Sequence, residues 1–150
     1  GGYRVAGLGL RILHCSTCYG MLGGPEGGLP LITFHDNVLI VNQLSGSRVM
    51  FDLTLRFRFD PGSNRMVLIG RDARITDRLS ASNIEESTNM ITGRHIVTRS
   101  HIDPATEMDV TVKEEGRVAP SNTPMDEVDA VDMSRTPTFE QLDQLNSLSE

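Results

Sequence analysis

Lysine is nearly missing from this chain. Lys113 stands alone, and arginine supplies the rest of the 14 basic residues against 20 acidic ones. The net charge of −6 offers no basic surface for a phosphate backbone, so a nucleic-acid partner is not expected. Tryptophan is absent and the aromatic fraction is 5%, which leaves aliphatic residues and five phenylalanines to build a core. No apolar run approaches the roughly 18 residues of a membrane-spanning helix. The chain opens Gly1-Gly2-Tyr3 without Met, and the expectation is that a leader preceded it.

Several catalytic and cofactor signatures are also missing. There is no G-x-x-x-x-G-K-[ST] phosphate loop, no D-x-D-x-D-G calcium loop and no G-x-S-x-G nucleophile elbow. Carboxylates such as Asp72 and Asp77 could be combined into a hydrolytic pair, but such residues more often bond turn amides or solvent. The two cysteines, Cys15 and Cys18, have the spacing of half a tetrahedral zinc site, with His14, His35, His95 or His101 to complete it. No second close ligand pair accompanies them. A glycine-rich loop follows them where a redox C-x-x-C wants a helix. They therefore read first as a local loop disulfide or two thiols, and as a zinc site only second. No cofactor and no enzymatic activity are expected.

What is present is β patterning. At 150 residues the chain is long enough for one domain with one core. In VMFDLTLRFRFD, residues 49–60, Phe51, Leu53, Leu55, Phe57 and Phe59 alternate with Asp52, Thr54, Arg56, Arg58 and Asp60. Period-two alternation of this length predicts a strand with one buried face. Asp60 to Asn64 supplies a turn, and RMVLIGRDARI returns as the partner strand. Residues 31–44 predict a second hairpin about Asp36-Asn37, a pair that tolerates positive φ. Residues 3–13 predict a strand interrupted by Gly7 and Gly9, which mark a bulge or a close approach of another backbone. The polar stretch 76–88 predicts a loop. Strands are further expected about Ile96, after a turn at Thr92-Gly93, and in MDVTVKEE.

Together these elements predict a mainly β domain over residues 1–118, an antiparallel sandwich or partly closed barrel. Residues 119–150 have the composition of an acidic linker or tail, with a short helix expected over 137–148. That tail is a candidate for docking on a partner chain or on a second copy.

Two surfaces are candidates for binding. One is an arginine face: Arg56 and Arg58 on the long strand, with Arg71 and Arg74 on its neighbour. Interleaved aspartates would neutralise many of these charges as cross-strand pairs. The other is the connection Ser45-Gly46-Ser47-Arg48.

The stretches ITFHDNVLIVNQLSGSR, LRFRFDPGSNRMVLIGRD and ESTNMITGR resemble a domain of uncharacterised exported bacterial proteins, over roughly residues 31 to 99. Its most specific parts are the LIG hairpin and the N-x-x-T-G turn. Some members are similar to periplasmic lysozyme-inhibitor and immunity lipoproteins, which block peptidoglycan hydrolases with an inserted loop. The resemblance implies a β-sandwich, a periplasmic or extracellular location, no catalysis, and a protein partner such as a cell-wall hydrolase. It also points to Ser45, Gly46, Ser47 and Arg48 as the inhibitory loop. Inhibitors of that kind carry S-G-x-x-Y there, and this chain has Val49 in the tyrosine position.

Overall fold

The computed structural model describes residues 2–15, 20–22 and 29–130, together with positions 141, 144 and 146. Seven antiparallel strands form one sheet in sequence order: β1 (Leu31–His35), β2 (Val38–Gly46), β3 (Val49–Asp60), β4 (Arg65–Asp77), β5 (Asn83–Asn89), β6 (Arg94–Ile102) and β7 (Asp109–Arg117). The mainly β, antiparallel class is as the alternation predicted. The sheet is open: β1 and β7 are its two edges, and it does not close into a barrel.

The alternation in β3 sorts its side chains as expected through Phe57, whereas Phe59, expected on the buried face, is 39% exposed. Phe51, Leu53, Leu55 and Phe57 are buried, while Asp52, Thr54 and Arg56 are only partly covered. Partners on β2 and β4 extend the same buried row: Leu39 and Leu68 beside Phe57, Val41 beside Leu55, Ala73 beside Leu53, and Ile75 beside Phe51. Residues directly opposite one another share a face, so register decides which side chains reach the core. Asp36 and Asn37 take φ of 49° and 62°, the geometry the β1–β2 hairpin requires.

Three expectations are corrected. Of residues 76–88, read as loop, Thr76 and Asp77 end β4, and residues 83–88 belong to β5, an interior strand between β4 and β6. Ile84, 1% exposed, is its one large apolar residue, and the backbone ladder on both sides holds a strand whose composition is polar. Residues 3–13, read as strand, form no ladder. Instead the Met66 amide donates to the Ala6 carbonyl and the Ala130 amide to the Arg11 carbonyl, and Ile12 enters the core. What crowds Gly7 is side chains and not another backbone: a Cβ there would lie 3.1 Å from the Met66 side chain.

The third correction concerns the tail. Through residue 130 it packs on the sheet, since Met125 and Ala130 are core residues, the Thr123 carbonyl accepts the Leu68 amide of β4, and Val118 and Ser121 bond the β5–β6 turn through their backbones. Its scattered apolar groups suffice because those bonds fix the segment. Positions 141, 144 and 146 are helical, and the Asn146 amide reaches Asp77 at 3.1 Å. The remainder of the helix expected over 137–148 lies outside the described residues.

Candidate binding site

β4 carries one more residue than β3 beside the hairpin. Arg56 pairs with Gly70 and Phe57 with Leu68, so Ile69 is the extra residue of a β-bulge. The displaced Ile69 carbonyl accepts the Met90 amide at 3.0 Å, which ties β4 to the turn between β5 and β6.

That turn is the N-x-x-T-G sequence. Asn89 Oδ1 accepts the amides of Ile91 and Thr92, each at 3.0 Å, and the Asn89 carbonyl accepts the Gly93 amide at 2.8 Å. Gly93 closes it with φ of 75°. The strap beyond β7 then crosses this corner: Ser121 donates its amide to the Met90 carbonyl and Thr123 accepts from the Leu68 amide. On the far side, the hairpin turn is fixed by Asp60, whose carboxylate takes the Gly62 and Ser63 amides. Bonds from Ser63 hold the Asp60 carboxyl below its ordinary range.

These four pieces enclose a cleft of about 530 Å³. Phe59, Pro61, Val67, Ile69, Ile91 and Pro120 are among the residues that line it. Its volume lies in the range of ligand pockets, which are typically mostly apolar with a few placed polar groups. Arg58 stands at its margin, exposed; it forms no hydrogen bond or salt bridge with a described residue, but its charge acts on the Asp60 carboxylate of the same cleft.

The other arginines named from the sequence are arranged differently. Arg74 donates to Asp52 at 3.1 Å, and Asp52 also accepts from Asn42 at 2.8 Å. Arg56 pairs with Asp72, which accepts from Ser87 as well. These two arginines are self-neutralised, as the interleaved aspartates suggested. Arg71 does not belong to that face: it lies opposite the buried Leu55, on the core side, 3.9 Å from Glu86. Burial pushes its guanidinium pKa down. Arg71 and Arg74 are three positions apart, and an odd separation in a strand puts side chains on opposite faces.

The Ser45–Arg48 connection is built into the scaffold. Ser45 is buried on β2, and Gly46 ends the strand with φ of 103°. Arg48 Nε and one terminal nitrogen donate to the two oxygens of Asp77, at 3.1 and 2.8 Å. Asp77 is 2% exposed, and its carboxyl is held below the usual range, chiefly by Arg48. Asp77 and Asp72 face opposite sides of β4 and form no pair.

Cys15 is disulfide-bonded, so it presents no thiolate to a metal, and Cys18 lies outside the described residues. His14 sits against Gln43, His35 against Asp36 and His95 against Thr88. Among the described residues no three His, Cys, Asp or Glu side chains gather as metal ligands. No described helix is long and apolar enough to cross a membrane.

Sequence reasoning did not assemble the cleft. Both of the most specific stretches of the resemblance, Leu68-Ile69-Gly70 and Asn89 to Gly93, contribute to it, a convergence that needs the β4–β5 register. No protein-family model, curated protein or solved structure matches the chain.

Proposed function

We propose that the protein is a non-catalytic, exported binding module that takes a protein partner at the cleft beside the β3–β4 hairpin. The observation that carries this reading is Arg58, an exposed guanidinium without a salt bridge among the described residues, at the margin of a cleft with mixed polar and apolar lining. Such a site fits an apolar side chain followed by a carboxylate, which Arg grips with paired hydrogen bonds. The partner class is a peptidoglycan hydrolase, whose cleft carries acidic groups, in keeping with the resemblance to hydrolase inhibitors. The disulfide at Cys15 supports an oxidising, periplasmic or extracellular compartment.

Titrating the protein into a panel of purified peptidoglycan hydrolases tests the proposal. A micromolar or tighter complex is expected with at least one, lost in Arg58→Glu and retained in Arg56→Gln. Absence of any complex at micromolar concentration, or undiminished affinity of Arg58→Glu, overturns it.

A further inference from the structure

We infer that β1 is a dimerisation edge, at which two copies of this chain pair antiparallel and continue one sheet through a two-fold axis. The two ends of the sheet differ in how they meet water. β7 exposes Asp109, Lys113, Glu114, Glu115 and Arg117, the charged side chains with which edge strands discourage pairing. β1 has no charged residue other than the titratable His35 at its end and no proline, and all five of its residues are exposed. Leu31, Ile32 and Phe34 keep 61%, 54% and 68% of their surface open. Among the described residues β1 is bonded only to β2, which leaves one row of its backbone groups without a described strand beside it.

The occupant follows from the pattern within β1. Ile32 lies opposite Val41 and Phe34 opposite Leu39, so both stand on the core side of the sheet. A strand added beside them must continue an apolar row while bringing no charge. β1 itself has that pattern. Centred on Thr33, an antiparallel copy sets Ile32 against the other copy's Phe34 and Leu31 against its His35. Cross-strand apolar pairs of this kind add stability beyond the ladder's own hydrogen bonds. A chain with net charge −6 repels its copy, and an uncharged strand is the seam at which that repulsion is least direct. The contact is also self-limiting. Each copy has one uncharged edge, so pairing closes at two and leaves the charged β7 edges outermost.

Sedimentation of the whole chain and its variants tests this. At about 100 μM the wild type is expected at twice the 16.5 kDa chain mass. Phe34→Lys, which sets a charge opposite Ile32 of the other copy, should run as monomer with an unchanged circular-dichroism melt. Val112→Lys on β7 should remain dimeric. Hydrogen exchange should show β1 amides protected in the wild type and released in Phe34→Lys. A monomeric wild type, or a dimer that survives Phe34→Lys, overturns the inference. β1 does not line the cleft, so Phe34→Lys is expected to keep hydrolase binding and Arg58→Glu to keep the dimer.

Discussion

Arg48 and Asp77 are joined by two hydrogen bonds that clamp the β2–β3 connection to the end of β4. The guanidinium remains 62% exposed while the carboxylate is 2% exposed, so the arginine brings solvent-side charge to a buried anion. Asp77 also accepts from the Leu79 amide and from Asn146. Hydrogen bonds to charged groups contribute about 1.5–3 kcal/mol each when the buried partner would otherwise stay unmet. Because two other donors remain, Arg48→Ala is expected to lower unfolding free energy by about 1.5–3 kcal/mol in urea titration. A loss within about 0.5 kcal/mol would mean the clamp is dispensable.

The same pair sets a pH dependence. The native Asp77 carboxyl binds its proton more weakly than the unfolded one, chiefly because Arg48 donates to it. Its contribution is therefore complete above the unfolded value of roughly 3.9 and is lost as pH falls through the depressed native value. The stability gap between wild type and Arg48→Ala should accordingly be widest near neutrality and shrink as the pH drops below about 4. Urea midpoints across pH 2–7 for both proteins would show it. A gap independent of pH would exclude Asp77 as its source.

Much of the sheet was legible in the residues, and the limits have identifiable causes. The alternation of β3 revealed both its strand and its buried face, because five apolar residues at period two outweigh local noise. β5 was hidden because Ile84 is its one large apolar residue, and what holds it is backbone pairing with β4 and β6 on both sides. The arginine face was half legible: counting positions separates Arg71 from Arg74 without a structure. That Arg48 is bound by Asp77 was not legible, since 29 residues separate them. The cleft was invisible for the same reason, being assembled by a bulge, an Asn-capped turn and a strap that only the fold brings together.

The outer face offers a contrast with the clamp. Asp52 bonds Arg74 and Asn42 but is 25% exposed, so solvent already screens it. Asp52→Asn is expected to cost no more than about 1 kcal/mol, and the cost should fall at high salt. Guanidinium is unsuitable for this comparison because it is itself a salt, so urea with added sodium chloride is the measurement. A loss above about 2 kcal/mol would show that the network is more isolated from water than its exposure indicates.

Gly46 is where the β2–β3 connection admits no side chain. Its φ is 103°, and a Cβ there would lie 2.0 Å from the Val49 carbonyl oxygen. Backbone held in such a region costs a non-glycine residue about 1–3 kcal/mol, before the overlap is relieved. Gly46→Ala should thus lose at least that much by thermal melt, whereas Ser47→Ala, at an exposed position, should change little. Equal tolerance at both positions would mean the connection rearranges freely.

Phe57 and Phe59 divide scaffold from site within three residues. Phe57 is 0% exposed among Leu39, Leu55 and Leu68, and nothing adjacent can collapse into its volume without leaving the sheet. Phe57→Ala should cost about 3–5 kcal/mol, the range for emptying a buried aromatic site. Phe59 is 39% exposed and lines the cleft, so Phe59→Ala should cost about 1 kcal/mol and instead weaken partner binding. Chemical denaturation and partner titration on both variants separate the two effects. If Phe59→Ala unfolds the domain as severely as Phe57→Ala, its ring belongs to the core, and the cleft loses the lining on which the binding reading depends.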